Sequence, residues 1–433
     1  MRERIYLCLA RMSEDDLEMK YIREAFDTRW VAPLGPNVNA FEGDLENFVN
    51  GTELEKRVVA LSAGTAAVHL ALLACGVGPG DEVMVQSFTF CASANPVRYL
   101  GATPVFVDSE EGSWSMDPEL LDAAIRDRIT KTGRKPKAIV PTALYGMPYR
   151  IDAILEVAGK YGIPVVEDCA EGLGSRFNGR VLGTFGQYGV LSFNGNKIIT
   201  TSGGGALVCP DAAAKERIMW YATQAREAYP YYQHEAIGYN YRMSNICAGI
   251  GRGQMTVLDK HISHHRHVYE LYRELFRDVD GIEVHGNPDS RFDSNFWLNT
   301  ITIAPELHVK GQENAYKTMV HDAVGGAAGV IHVADSATTD CQPNDNVEAL
   351  RVFLDQKGIE ARPLWKPMHK QPVYKDAPAY LNGISESMFK VGMCLPSGPY
   401  VSDDDVRYIV DCIREAVEKE FASLFCYKGV NGL

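Results

Sequence analysis

The chain of 433 residues carries 43 Lys and Arg against 56 Asp and Glu, a formal charge of −13, which excludes a polyelectrolyte binder of nucleic acid. With 46% hydrophobic and 23% charged residues it has the composition of a globular protein with room for two or three domains, not of a disordered scaffold. The ten cysteines form no CxxC pair, which points to reduced thiols in the cytoplasm, and no uncharged run approaches the roughly 18 apolar residues of a membrane span.

In chain order, MRERIYLCLARMSEDD has too short an apolar run for an export signal. From about residue 55 to 210, short β-branched runs alternate with amphipathic stretches, the pattern of βαβ units around a mainly parallel sheet. Val58–Leu61 reads as a strand ending at Ser62-Ala63-Gly64-Thr65, and Ala66–Cys75 as the helix that follows until Gly76. Further strands are expected at Glu82–Gln86, Thr103–Val107, Lys137–Thr142, Pro164–Glu167, Gly189–Phe193 and Ala206–Cys209. Together they make a seven-stranded sheet in a large domain, residues 1–255. Asp117-Pro118-Glu119 has the chemistry of a helix start, and Ile151–Tyr161 repeats the helical period before Gly162. Gly249-Ile250-Gly251-Arg252-Gly253 follows no strand, so close helix packing explains it better than a dinucleotide loop. A long charged helix, Thr256–Val279, leads into a small α+β domain, residues 256–433. Residues 310–346 lack a sustained period and read as a surface insertion. The last helix is expected over Asp403–Leu424.

Four features bear chemistry. The Ser62–Thr65 turn opens a helix amino terminus, where Gly64 and Thr65 N–H groups suit a phosphate. Phe90 supplies an aromatic face. Asp168 ends an apolar run, where α/β ligand sites form, although it could equally cap the segment after it. Lys197 lies between a buried strand and Gly203-Gly204-Gly205. An amine that condenses with an aldehyde, an acid for a pyridinium nitrogen and a phosphate cup together describe a pyridoxal 5′-phosphate site.

The segments LSAGTAAVHLAL, GVGPGDEV, SFTFCASANPV, GATPVFVD, VVEDCAEGLGS, GTFGQYGVLSFNGNKIITTSGGG, GYNYRMSN, EARPLWKPMH and CLPSG span nearly the whole chain. In order and wording they resemble the DegT/DnrJ/EryC1/StrS sugar-nucleotide aminotransferases. The resemblance implies the fold of the aspartate-aminotransferase-like, type I pyridoxal phosphate enzymes. Within that family the chain is most similar to enzymes that aminate C4 of UDP-4-keto-6-deoxy-N-acetylglucosamine on the bacillosamine or exopolysaccharide route, with L-glutamate as donor.

On this resemblance Lys197 carries the cofactor and moves the proton, Asp168 holds the pyridine nitrogen protonated, and Phe90 stacks on the ring. Glu171 stands near the cofactor's phenolic oxygen or the substrate. Ala63, Gly64, Thr65 and Ser192 bind the phosphate, and Asn240 reaches it from a partner subunit, so a homodimer with shared sites is expected. Trp30, Val31, Ala32, Asn194, Arg362, Trp365, Lys366 and His369 are the expected contacts to the nucleotide sugar, with Arg362 and Lys366 supplying charge. Cys8-Leu9-Ala10-Arg11-Met12 departs from the family's usual amino-terminal wording, and residues 310–346 have no family counterpart. A GDP-4-keto-6-deoxymannose aminotransferase is the nearest alternative. A sugar dehydratase of the same fold would replace Lys197 with histidine, and a non-catalytic nucleotide-sugar binder is the alternative of another class. His261 and His265 stand four apart on one helix face, a spacing able to hold zinc, but no HExxH order accompanies them and no metal site is expected.

Overall fold

A computed structural model of the chain describes residues 2–51, 54–316 and 341–418. All seven expected strands are present: β1 (Arg57–Leu61), β2 (Glu82–Gln86), β3 (Thr103–Val107), β4 (Ala138–Val140), β5 (Val166–Asp168), β6 (Tyr188–Ser192) and β7 (Gly205–Cys209). A two-residue strand far along the chain, β8 (Ala379–Tyr380), adds an edge that the sequence did not suggest. The order is β1-β7-β6-β5, joined through the bridges Ile139–Val165 and Thr142–Asp168 to β4-β2-β3-β8. Only β7 runs against its neighbours.

Successive strand residues enter opposite cores. Val58, Ala60, Met84, Val105 and Ile139 pack on one face, and Val59, Leu61, Val83, Val85, Phe106 and Val140 on the other. Burial on both faces is the reason these strands read as continuous apolar runs. Helices Gly64–Ala74, Pro118–Thr132 and Ile151–Tyr161 cover the sheet. The second begins as expected, with the Asp117 carboxylate accepting from Glu119 and Leu120 N–H at 2.9 and 3.0 Å.

The glycines at 249–253 lie in helix Asn245–Met255, which packs on Leu17–Asp27 and Pro36–Asn50. A Cβ at Gly251 would stand 2.7 Å from the Phe41 ring, so this is a close helix crossing. Beyond the connecting helix Leu258–Phe276, strands Ile282–Val284, Asn299–Ile303, Gly392–Leu395 and Arg362–Pro363 form an antiparallel sheet, with Leu350, Ile409 and Ile413 in its core. Ile5 pairs with Ile359 and is buried in that same core. The last described helix ends at Ala416, earlier than expected, because the chain turns extended at Val417 to pair with Val309. Residues 317–340 of the expected insertion, and 419–424 of the expected helix, lie outside the described residues. Among the described residues no helix is long and apolar enough to cross a membrane.

Candidate active site

The sheet topology gathers the chemistry at one edge. Leu61 faces Gly205 across β1 and β7, Ser192 faces Gly205 across β6 and β7, and Thr142 bridges to Asp168. The carboxyl ends of β1, β5 and β6 therefore open on one cavity of about 410 Å³. Its wall contains Ala63, Gly64, Thr65, Phe90, Asp168, Glu171, Ser192, Asn194, Lys197 and Trp365 from the predicted set. A larger cavity of about 710 Å³ lies beside helix Ile384–Val391 and holds none of them.

The turn expected to hold a phosphate is made by contact between backbones. Ala63, at the cap of helix Gly64–Ala74, has no side-chain acceptor for the first-turn N–H groups. A Cβ at Gly205 would stand 2.3 Å from the Gly64 nitrogen, and one at Gly64 would stand 3.1 Å from Ser192 Cβ. Glycine at both positions lets strand and helix terminus close on each other while leaving the donors facing the cavity.

On the opposite side, Asp168 Oδ2 accepts from Ser93 Oγ at 2.6 Å and Oδ1 from Ala170 N–H at 3.1 Å. That second bond is the local cap the sequence allowed, so capping and facing the cavity coexist in one side chain. Burial pushes the Asp168 carboxyl above its ordinary range, opposed by Ser93, Ala170 and the Lys197 charge. Lys197 Nζ stands 3.1 Å from Glu171 Oε1, and Tyr145 N–H donates to Glu171 Oε2 at 2.7 Å. Burial raises Glu171 as well, against the pull of Lys197 and the Tyr145 amide. Phe90 is 54% exposed, with its ring centroid 5.3 Å from that of Trp365.

Seven predicted residues do not line this cavity. Asn240 is exposed on an extended segment bridged to Thr223. Trp30 and Val31 are exposed, while the Trp30 and Ala32 carbonyls are held by Asn245. Arg362 is paired with Glu360 at 2.7 Å, Lys366 stands outside the wall, and His369 Nδ1 contacts Ser87 Oγ at 2.7 Å. Sequence reasoning missed Ser93, Thr142, Asn196 and Trp297, which the fold brings in. Ser93, three residues after Phe90, Asn196, next to Lys197, and Thr142, at the end of an expected strand, had a local signal, and Trp297 had none. His261 and His265 turn Nδ1 to the carbonyls of Ile198 and Phe296, at 3.0 and 3.2 Å.

The donor set fits pyridoxal phosphate. First-turn amides and the Ser192 hydroxyl suit an anion, Asp168 retains acceptor capacity on both oxygens, and the partly buried Lys197 amine shares the cavity with them. Fold and site define a type I pyridoxal phosphate enzyme.

A solved DegT/DnrJ/EryC1/StrS aminotransferase from Brucella abortus matches with a TM-score of 0.79 at 26% identity, over 94% of this chain and 96% of its own. EpsN of Bacillus subtilis (strain 168), named as a pyridoxal phosphate-dependent aminotransferase, is 40% identical over 95% of this chain and 96% of its own. The GDP-perosamine synthase of Escherichia coli O157:H7 is 33% identical over 95% and 98%. The model of the DegT/DnrJ/EryC1/StrS aminotransferase family matches residues 12–327 and 315–414, and the chain belongs to that family. It is a pyridoxal phosphate-dependent sugar aminotransferase of nucleotide-sugar metabolism.

Proposed function

We propose that this enzyme transfers the amino group of L-glutamate to C4 of a UDP-4-keto-6-deoxy-N-acetylhexosamine, a step of the UDP-N-acetylbacillosamine type that serves cell-surface polysaccharide or glycan synthesis in the cytoplasm. The observation that carries a transamination is the placing of Lys197 Nζ, 3.1 Å from Glu171, in a cavity shared with Asp168 and an uncapped helix terminus. Bound pyridoxal phosphate supplies an electron sink and a carrier for the amino group. Lys197 Nζ takes and returns the proton that moves during transfer, and Asp168 keeps a proton on the ring nitrogen. Gly64 and Thr65 N–H with Ser192 Oγ hold the phosphate, helped by the Ala63 turn, and Phe90 covers the ring face. Glu171 orients the amine.

The UDP sugar is favoured by the resemblance to the bacillosamine and exopolysaccharide subgroup, while a GDP-perosamine synthase is among the relatives. That relative makes a GDP-4-keto-6-deoxymannose the alternative substrate. Asn194 and Trp365 contact the sugar from the cavity wall, and Arg362, Lys366 and His369 lie further out, toward the nucleotide. Arg362 reaches a diphosphate only by giving up or sharing Glu360. Trp30, Val31 and Ala32 complete the rim. We place the cofactor on residues 1–255 and the outer part of the sugar pocket on 256–433.

The working unit is a homodimer whose partner supplies Asn240. Within the ten residues before it in the chain stand the exposed apolar side chains Tyr231, Tyr232 and Ile237, the last 81% exposed, which suit burial against a second copy. Incubation with glutamate and a panel of UDP-, GDP- and dTDP-4-keto-6-deoxy sugars tests the substrate: amination of the UDP sugar is expected, and amination of the GDP sugar alone replaces this reading with the alternative. Mixing inactive Lys197→Ala and Asn240→Ala protomers tests the shared site. Recovery of activity is expected, because each mixed dimer then contains one intact site.

A further inference from the structure

Lys197 Nζ stands between two groups: Glu171 Oε1 at 3.1 Å and the face of the Trp297 indole, whose ring centroid is 4.0 Å away. The indole is fixed, since it is 2% exposed and its Nε1–H donates at 2.6 Å to the carbonyl of Asn196, the residue before the lysine. The carboxylate is fixed by the Tyr145 amide. One residue joins the two sides. Asn295 Nδ2 donates to the carbonyls of Glu171 and Leu173 at 2.8 and 2.9 Å, and its Oδ1 accepts the Trp297 N–H at 2.8 Å. That last bond is an Asx turn, which supports Phe296 at φ 50°. Phe296 in turn stacks on Tyr269 at 3.7 Å, and its carbonyl contacts His265 Nδ1. The turn that aims Trp297 into the cavity is thus anchored on the connecting helix.

We propose that Trp297 and Glu171 form a two-sided seat for the Lys197 ammonium, set in place by Asn295, which keeps Nζ inside the cavity whenever the amine is protonated and not bonded to the cofactor. This rests on Lys197 being the cofactor-bearing residue. An ammonium is a compact, strongly hydrated charge on a flexible stem. In a narrow cavity it must exchange water for protein groups, and the Lys197 side chain is only 14% exposed. Glu171 replaces water on one side but would leave the stem free to pivot toward the opening. The indole closes the other side, and tryptophan gives the strongest cation–π contact, larger where water is excluded. Trp297 touches the reacting amine, and Asn295 is a positioning residue that acts through it.

The test uses the full-length enzyme freed of cofactor and requires no sugar. Reductive methylation followed by peptide mass spectrometry gives the labelling rate of Lys197 relative to the other lysines. Trp297→Leu is expected to raise that rate about tenfold, and Trp297→Phe to recover most of the protection because it keeps an aromatic face. Asn295→Ala is expected to fall between wild type and Trp297→Leu. Equal Lys197 rates in wild type and a cooperatively melting Trp297→Leu protein overturn the seat. If that variant does not fold, Lys197→Met decides. In protein labelled with ¹⁵N-tryptophan, the Trp297 indole resonance must then shift more than those of the other tryptophans, and an unmoved resonance overturns the proposal. Borohydride reduction of the loaded wild type separately shows which lysine carries the cofactor. A label elsewhere defeats the underlying reading without altering the methylation result.

Discussion

Glu167 and Asp168 are neighbours on β5, and their surroundings differ completely. Successive strand residues point to opposite faces. On the back of the sheet Glu167 is wrapped by donors: Tyr149 OH at 2.6 Å, Phe185 and Gly186 N–H at 2.7 Å, and Gly183 N–H at 3.1 Å. Asp168, on the cavity side, has one donor on each oxygen and room for another. Both are fully buried carboxyls pushed upward by desolvation, so burial and a raised pKa do not distinguish a structural acid from a functional one. The distinction lies in unused hydrogen-bonding capacity that faces a cavity.

This contrast predicts that cavity-side substitutions remove activity and leave folding intact, while back-side substitutions do the reverse. The largest effect is expected for Lys197→Ala, with release of 2-oxoglutarate from glutamate and keto-sugar falling by about 10² to 10⁴-fold and the melting temperature nearly unchanged. Asp168→Asn should lower kcat on the order of 10²-fold by removing charge at the ring nitrogen, in steady-state assays on protein of wild-type denaturant midpoint. Glu167→Gln should invert that pattern, losing about 2 kcal/mol in urea unfolding with kcat little changed. A Glu167→Gln enzyme as inactive as Asp168→Asn would break the comparison. Ser192→Ala should weaken cofactor binding by roughly tenfold, the worth of one hydrogen bond to an anion, as read by equilibrium dialysis.

The smallest effect concerns pH. His265 is buried and neutral, its pKa depressed to about 3 by desolvation. Because its folded value lies below the unfolded value of about 6.5, its contribution to stability is present above pH 6.5 and is lost as pH falls toward 3. His265 thus lowers the melting temperature from pH 7 to pH 5 while the raised Glu167, Asp168 and Glu171 carboxyls oppose it, so His265→Gln should make the pH 5 value rise relative to the pH 7 value when compared with wild type. His285, depressed to about 3 as well, adds to the lowering toward pH 5, together with His69, His261, His264 and His369, whose pKa values burial also lowers.

The parts legible in the sequence were those written locally. Buried parallel strands need long apolar runs, helix starts need their caps, and a phosphate cup needs small residues between a strand and a helix, so β1 to β7, the Asp117 cap and Ala63-Gly64-Thr65 could all be read in a line. Asp168 stood out because it ends an apolar run, and Lys197 because it lies between a buried strand and the glycines at 203–205. Less legible was β8, two residues long and joined to β3 from more than two hundred positions away.

Family wording could name Arg362 and Lys366 as cations near an anionic substrate. It could not show that Glu360 already holds the guanidinium. Nor could it show Ser93 on Asp168, 75 residues apart, or the Trp297 indole tied to Asn196, 101 residues apart. The sequence by itself determined the alternation of elements, the small-residue turn between β1 and the helix that follows it, and the family. Tertiary structure decided which groups touch them, because a hydrogen bond or a cation–π contact depends on distances of a few ångströms between segments whose separation along the chain carries no such information.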